Sequence, residues 1–457
     1  MRIRRAAAVG AVAALALTTA ACGSSDDGDA AQDSGPRTIT IAYQKTSAFH
    51  QLDDLLQKVK PEFEKANPDV TVKLAPIEAE ADQYYTKLAL MNGSKDTAPD
   101  VIYEDTFQVM SDAAAGYLLP IDDYTAKWDD WSQFEDAAKN AGLGVDGKTY
   151  GVSMGTDTRG IFYNKDLFKK AGLPTDWQPT TWQEIIDAAQ TIKDKLPDVT
   201  PMNIYAGKAG SEQTTMQGLE MLYYGSRDGA DLYNTDQKKW VTGDQGMTDS
   251  LDFYKTVYDG GLAPSLDQAL DANIGTKVFS ELLPQGKLAI DIDGSWMPGG
   301  WISGENAWPE WEKTLGFAKM PTKDGSGDGF TSMSGGWLLS VGAQTKSPQT
   351  AFDFVAMATN KDSSLEYDTT NSQIAVRKDV AEDPKYLSYN PSFEFFSSLV
   401  PYTHFRPATP DYSQISSVIQ TEVEAVASGQ KSPEDAAKSY DEGLQKIVGK
   451  NNTVAAG

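Results

Sequence analysis

Thr38-Ile39-Thr40-Ile41-Ala42-Tyr43 alternates polar and apolar residues with the period of two that a half-buried strand needs. Leu52, Leu55, Leu56, Val59 and Phe63 then fall on one helical stripe that ends near Asn67-Pro68, and Val70, Val72 and Leu74 make the next strand. A second helical run from Tyr84 to Met91 stops at Asn92-Gly93, and Pro99-Asp100-Val101-Ile102-Tyr103 resumes a short apolar strand. Strand, helix, strand, helix, strand implies an α/β fold with a parallel sheet flanked by helices. Ligands of such sheets bind beyond the carboxyl ends of the strands, which directs attention to Tyr43 to Ser47 and Glu104 to Phe107.

Further along, Ile161-Phe162-Tyr163 and Leu288-Ala289-Ile290-Asp291-Ile292 read as strands of a second α/β unit, with helices between Trp182 and Leu196 and between Met247 and Tyr258. The folded part starts near Pro36, and a chain of about 420 residues exceeds what one core supports, so two lobes are the economical reading. Two amphipathic helices close the chain. One carries Ile415, Val418, Ile419 and Val423; the other starts at Ser432-Pro433, with Ser as N-cap and Pro in the first turn, and both read as packing elements.

Ahead of the fold, Met1-Arg2-Ile3-Arg4-Arg5, an Ala/Val/Leu run from Ala6 to Leu17 and small residues up to Cys22 have the layout of an export signal over residues 1–21. No apolar stretch approaches the roughly 20 residues of a membrane-spanning helix. Cys22 is the one cysteine of the chain, which excludes internal disulfides, and Thr19-Ala20-Ala21-Cys22-Gly23 resembles a bacterial lipobox with Thr where that pattern favours Leu. The resemblance implies lipid attachment at Cys22, an acidic tether over residues 22–36, and a protein held on the outer face of the cell membrane. The net charge of -25, with Lys+Arg 40 against Asp+Glu 65, disfavours nucleic acid as a partner.

Several motifs lose their meaning in context. Gly142-Leu143-Gly144-Val145-Asp146-Gly147-Lys148-Thr149 matches two phosphate-loop patterns, but these need a strand before the loop and a helix after it. Here Phe134 to Asn140 is helical in character and Thr149-Tyr150-Gly151-Val152 extended, so Asp146-Gly147 reads as a hairpin turn. Asp324-Gly325-Ser326-Gly327-Asp328-Gly329 begins like a calcium loop, yet Gly335 stands where the closing Glu belongs. His50 and His404 form no zinc-ligand spacing and there is no GxSxG, so no catalytic residue, metal or cofactor is expected. A glycosidase needs only two carboxylates across a cleft, which leaves a secreted carbohydrate-active hydrolase as the rival class and a surface adhesin as a third.

Aromatic residues stand in Gly-rich turns, as in Gly294-Ser295-Trp296 and Gly335-Gly336-Trp337. An indole face covers the C–H face of a pyranose while carboxylates, Arg and amides take its hydroxyls. Any one Trp is more often core than platform, but Asp105 and Asp293 each follow an apolar strand, and Asp157 and Arg159 lie in Gly155-Thr156-Asp157-Thr158-Arg159-Gly160 just before another.

Pro99-Asp100-Val101-Ile102, Gly116-Tyr117-Leu118-Leu119-Pro120, Gly147-Lys148-Thr149-Tyr150-Gly151, the run from Phe162 to Pro174, Pro179-Thr180-Thr181-Trp182, Gln285-Gly286-Lys287-Leu288-Ala289-Ile290, the two Gly/Trp turns and Arg406-Pro407 with Tyr412 carry a wider likeness. The chain resembles the extracellular sugar-binding proteins of ABC importers, the maltose-binding-protein-like group. That resemblance implies two lobes joined by several chain crossings, each lobe a mostly parallel sheet, with the ligand in the interlobe cleft. It places residues 37–155 plus about 330–365 in the N-terminal lobe and 156–329 plus about 366–457 in the C-terminal one. Trp296 would be the stacking platform, Asp105, Asp157 and Asp293 the hydroxyl acceptors, and Arg159 and Arg406 the donors, with Tyr43, Lys45 and Trp337 as further contacts. It implies hinge closure without turnover, a monomer, ABC permease subunits as partners, and a di- or oligosaccharide ligand, xylo- or cello-oligosaccharides ahead of α-glucosides. The Ala/Asp-rich style suggests an actinobacterial source.

Overall fold

The computed structural model describes residues 37–457 apart from Ala48 and Glu80, so the export segment, Cys22 and the tether lie outside the described residues. β1 (Arg37–Lys45), helix α1 (Gln51–Ala66), β2 (Val70–Glu78), helix α2 (Ala81–Asn92) and β3 (Val101–Asp105) follow one another as the periodicities require. β3 is buried along its whole length, as a strand covered on both faces must be. Leu52, Leu55, Leu56, Val59 and Phe63 of α1 are buried against it and its neighbours.

β4 (Gly151–Thr156), β5 (Arg159–Asn164) and β6 (Thr200–Asn203) come next, then a small ribbon of β7 (Tyr233–Asn234) and β8 (Lys239–Thr242). β9 (Leu288–Gly294), β10 (Leu315–Ala318), β11 (Met320–Pro321), β12 (Phe330–Ser334), β13 (Gly336–Val341), β14 (Thr403–Phe405) and β15 (Thr453–Ala455) complete the set. The first lobe is built on a sheet of order β2-β1-β3-β13-β4 and the second on a sheet of order β10-β5-β9-β6.

Each sheet is mixed, with one strand running against the rest: β13 is antiparallel to β3 and β4, and β5 to β9 and β10. The cause is connectivity. β5 and β13 are the strands the chain enters directly from the other lobe, through Asp157-Thr158 and through Gly335, with no helical crossover to restore the common direction.

Those crossings are laced together. Thr156 Oγ1 donates to the Gly335 carbonyl at 2.8 Å, Ser334 Oγ to the Asp157 carbonyl at 2.8 Å, and Gly335 N–H to Asp157 Oδ1 at 2.7 Å. A third segment joins them, since Thr156 and Ile374 exchange backbone hydrogen bonds at 3.0 and 2.8 Å. Tyr367 and Val376 still belong to the first lobe's core and Phe396 to the second's, so this last crossing falls well after the 365–366 boundary that the sequence suggested. The helix Lys361–Thr370 causes the shift: it packs on α1 and β4 of the first lobe.

The closing helices Tyr412–Ala427 and Pro433–Val448 lie on the second lobe, where Ile415, Ile419, Val423, Tyr440 and Leu444 share a core with Ile161, Ile185 and Ile290. Ser432 accepts the Asp435 N–H as an N-cap. Between the helix Asp136–Ala141 and β4, Leu143 and Thr149 pair antiparallel around Gly147 at φ +75°, so the phosphate-loop look-alike is a hairpin. The calcium-loop look-alike is the turn between β11 and β12, closed by Ser326 N–H on Asp324 Oδ1 at 3.0 Å.

Candidate ligand cleft

A cavity of about 210 Å³ opens where the two sheets present their strand ends to one another. Its first-lobe wall is aromatic. Trp337 at the start of β13 stacks on Tyr103 of β3 with ring centroids 4.4 Å apart and planes 8° from parallel, and the ring of Tyr85 of α2 is centred 6.2 Å from that of Trp337 with planes 23° apart. Register explains the stack, because Trp337 pairs with Asp105 across β13 and β3 and so stands beside Tyr103 on the adjoining strand.

The second-lobe wall is polar. β5 and β9 pair Arg159 with Gly294, and the turn after β9 folds the Trp296 indole back over that glycine. A methyl group at position 294 would collide with the ring, so glycine is what lets Trp296 lie there. The Arg159 guanidinium carbon sits 4.7 Å from the centre of the same ring. Arg159 also pairs with Asp157, which is pinned in turn by Gly335 N–H.

Across the cleft, Arg406 follows β14 of the second lobe and reaches the first. Its Nη2 donates to Asp105 Oδ1 at 2.5 Å and to Thr106 Oγ1 at 2.9 Å, and its Nη1 to Glu212 Oε2 at 3.2 Å. Tyr85 donates to the other Asp105 oxygen at 3.0 Å. Burial works against the charge of Arg406, but Asp105 and Glu212 hold its pKa above the ordinary value. Burial raises Glu212 despite the guanidinium beside it, and pushes Glu220 up to about 8, helped by the neighbouring Glu212 charge.

Six of the nine residues expected to touch ligand line this cavity: Asp105, Asp157, Arg159, Trp296, Trp337 and Arg406. Three do not, and the expectation for them is corrected. Tyr43 is fully buried in the first lobe's core, its hydroxyl donating to Asp53. Lys45 pairs with Asp53 at 2.7 Å and borders an open groove with His50 and Glu305, which adjoins the cavity at Gln83 and Ala272. Asp293 has no exposed surface; it accepts from Tyr205 Oη at 2.8 Å and Gly294 N–H at 2.7 Å behind the Trp296 turn, and burial raises its pKa.

Sequence reasoning missed Glu212, Met216 and Gln217, which enter the cavity from the stretch Ser211–Glu220. Its last part, Thr214–Glu220, winds as a π-helix, a form enriched at functional sites. Lys208, Tyr103, Tyr367 and Gln373 are among the further lining residues that the sequence did not single out. Tyr103 carried a signal as the last residue of the expected strand, and Gln44, which also lines the cavity, lay within the flagged stretch Tyr43 to Ser47.

Among the described residues no His/Cys/Asp/Glu group could hold a metal ion, and no helix is long and apolar enough to cross a membrane. Residues 50–364 match the family described as bacterial extracellular solute-binding protein. The multiple sugar-binding protein of Streptococcus mutans is 27% identical over 82% of this chain and 83% of its own, and the maltodextrin-binding protein MdxE of Bacillus subtilis 25% identical over 95% of each. Among solved structures, the GacH receptor of Streptomyces glaucescens, studied unliganded and with acarbose, aligns at TM-score 0.76 with 25% identity, covering 91% of this chain and 99% of that one. A Thermotoga lettingae solute-binding protein bound to α-D-tagatose aligns at TM-score 0.77 with 25% identity, covering 90% and 99%. With its two mixed sheets facing across one cleft and a family match over most of its length, the chain belongs to the bacterial extracellular solute-binding proteins.

Proposed function

We propose that the chain is the extracytoplasmic substrate-binding component of an ABC importer, capturing a di- or oligosaccharide by lobe closure and passing it to membrane permease subunits. The observation that carries this reading is the pairing of opposite wall chemistries on opposite lobes: stacked aromatics from one, guanidinium, carboxylates and an indole from the other. A sugar touching both walls favours the closed form, and only that difference in affinity moves the equilibrium. In the lining, Asp105 and Asp157 are each held by a buried arginine, which suits a neutral ligand. Retention at the outer face of the membrane by lipid on Cys22, and action as a monomer, belong to the same proposal.

A thermal-shift screen of the mature chain tests it, with maltodextrins and galactooligosaccharides beside xylo- and cello-oligosaccharides, as the relatives' names suggest. A ligand at a hundred times its Kd adds about 2.7 kcal/mol of stability. Stabilisation by one sugar that is recovered intact supports the binding role. Cleaved sugar would make the chain a hydrolase, and no shift across the panel would remove sugars from the reading.

A further inference from the structure

Beside the main cavity lies a recess of about 10 Å³, room for a single water-sized group. The two spaces adjoin, since Gln51, Gln213, Gly275 and Trp296 line both. Part of the recess lining is apolar, from Phe279 and Met297 of the second lobe's core. The rest is amide, and it comes from opposite lobes: Gln51 is the first residue of α1, and Gln213 stands just before the π-helix Thr214–Glu220. Gln51 is 7% exposed, yet neither its side-chain amide nor that of Gln213 has a hydrogen-bond partner among the described residues. The amide atoms of both keep accessible surface, unlike the closed-off Nε of Arg159 and Nε1 of Trp296. Gly275 leaves room for one of them, because a methyl group there would come within 2.9 Å of Gln213 Oε1 and 3.1 Å of its Nε2.

The charged groups of the neighbouring cavity wall are already paired, Asp157 with Arg159, and Asp105 and Glu212 with Arg406. The two glutamines are not, and an amide both donates and accepts, as a hydroxyl does. A buried amide without partners is unusual enough to need a reason. We infer that the recess receives the exocyclic hydroxymethyl group of a hexose unit, its oxygen at the amides of Gln51 and Gln213 and its methylene beside the Trp296 ring, so that these two glutamines set a preference for hexose over pentose ligands. The inference rests on the sugar-binding reading above and narrows it. The recess is too small for a ring and takes the end of a short substituent. A ring hydroxyl brings no carbon to its apolar side, and a pentopyranose has only hydrogen where the hydroxymethyl group would stand. Among the described residues no charged side chain lines the recess, so a carboxylate at the same position of the ligand would be buried without a counter-ion and is rejected.

The test is calorimetric titration of the wild-type chain with pairs that differ only in their exocyclic groups: cellobiose against xylobiose, cellotriose against xylotriose, glucose against xylose. The hexose member is expected to bind tighter by roughly tenfold or more. In the tightest hexose ligand, replacing the hydroxymethyl group of one ring by methyl or by carboxylate should weaken binding, the carboxylate more. Gln213→Ala and Gln51→Ala should each weaken the hexose ligand by roughly tenfold and leave its pentose counterpart within about twofold, a change of ratio that a general loss of structure does not produce. Gly275→Ala, which crowds the Gln213 amide, should move the ratio the same way. Pentose members that bind the wild type as tightly as their hexose partners would overturn the inference, and this holds even if a variant fails to fold. An unchanged ratio in both folded glutamine variants would overturn it as well. Failure of every sugar to bind the wild type is a different result and strikes the functional reading instead.

Discussion

Trp337 and Trp296 face the same cavity from opposite lobes in unlike surroundings. Trp337 lies stacked on Tyr103 at 4.4 Å, with Tyr84 and Tyr85 also against it, so most of its ring surface already serves the first lobe. Trp296 lies on a glycine, under a guanidinium, with its N–H unmatched among the described residues. The difference teaches that an aromatic residue at a pocket can be wall or reader. What separates the two is how much of the ring the protein has already used.

Arg406 spans that divide, and its loss is expected to have the largest effect. Arg406→Ala leaves Asp105 and Glu212 buried without their counter-charge, which costs about 3–5 kcal/mol in comparable cases. Chemical denaturation would read this directly. A loss under about 1 kcal/mol would mean that the lobes do not depend on this bridge. Next in size, Trp337→Ala should cost about 3 kcal/mol of stability through the emptied stack. Trp296→Ala should cost less stability and weaken sugar binding by about 2 kcal/mol, roughly thirtyfold. The reverse ordering of the two tryptophans would break the distinction between wall and reader.

The same contrast explains what the sequence could tell. The β1 to β3 run was legible because its signals are local: alternation, one helical stripe, and turn residues between them. The third crossing was not, because Lys-Asp-Ser-Ser-Leu-Glu-Tyr-Asp-Thr-Thr at 361–370 has almost no apolar stripe and packs on the first lobe with Ser363, Tyr367 and Asp368 buried. At the site, residues just beyond strand ends were found, since topology sends them to the cleft. Glu212 and Met216 come from a π-helical stretch that no simple periodicity announces. Tyr43 could have been excluded from the sequence itself: it shares the parity of Ile39 and Ile41, and a side chain in phase with core residues points into the core.

Acidity supplies a test of the second lobe alone. Glu220, with no exposed surface, accepts from Tyr412 Oη at 2.9 Å and has its other oxygen unpartnered. Burial pushes its pKa up to about 8 in the fold, against 4.5 for an ordinary glutamate. Between those values the folded chain keeps a proton that the unfolded chain has released, so this contribution to stability is complete below about pH 4.5 and is lost as pH rises to about 8, by at most about 1.4 kcal/mol per pH unit. Denaturation of the wild type and Glu220→Gln across pH 5 to 8.5 should show a difference that grows with pH in favour of the variant. Parallel curves would mean that Glu220 is ionised throughout.

The smallest effect is expected in the first lobe, at the tyrosine that the strand turns away from the cleft. Tyr43→Phe removes the hydroxyl that donates to Asp53, while Lys45 at 2.7 Å and Gln57 Nε2 at 3.4 Å remain on that carboxylate. A buried hydrogen bond with other partners still in place is worth about 1 kcal/mol. Stability should fall by about that amount and the Kd for sugar should stay within about twofold, because nothing of Tyr43 reaches the cavity. A tenfold change in Kd without a matching loss of stability would place Tyr43 in the ligand's path, and the wall-and-reader distinction would then need a third kind of aromatic, one that acts on the ligand from inside the core.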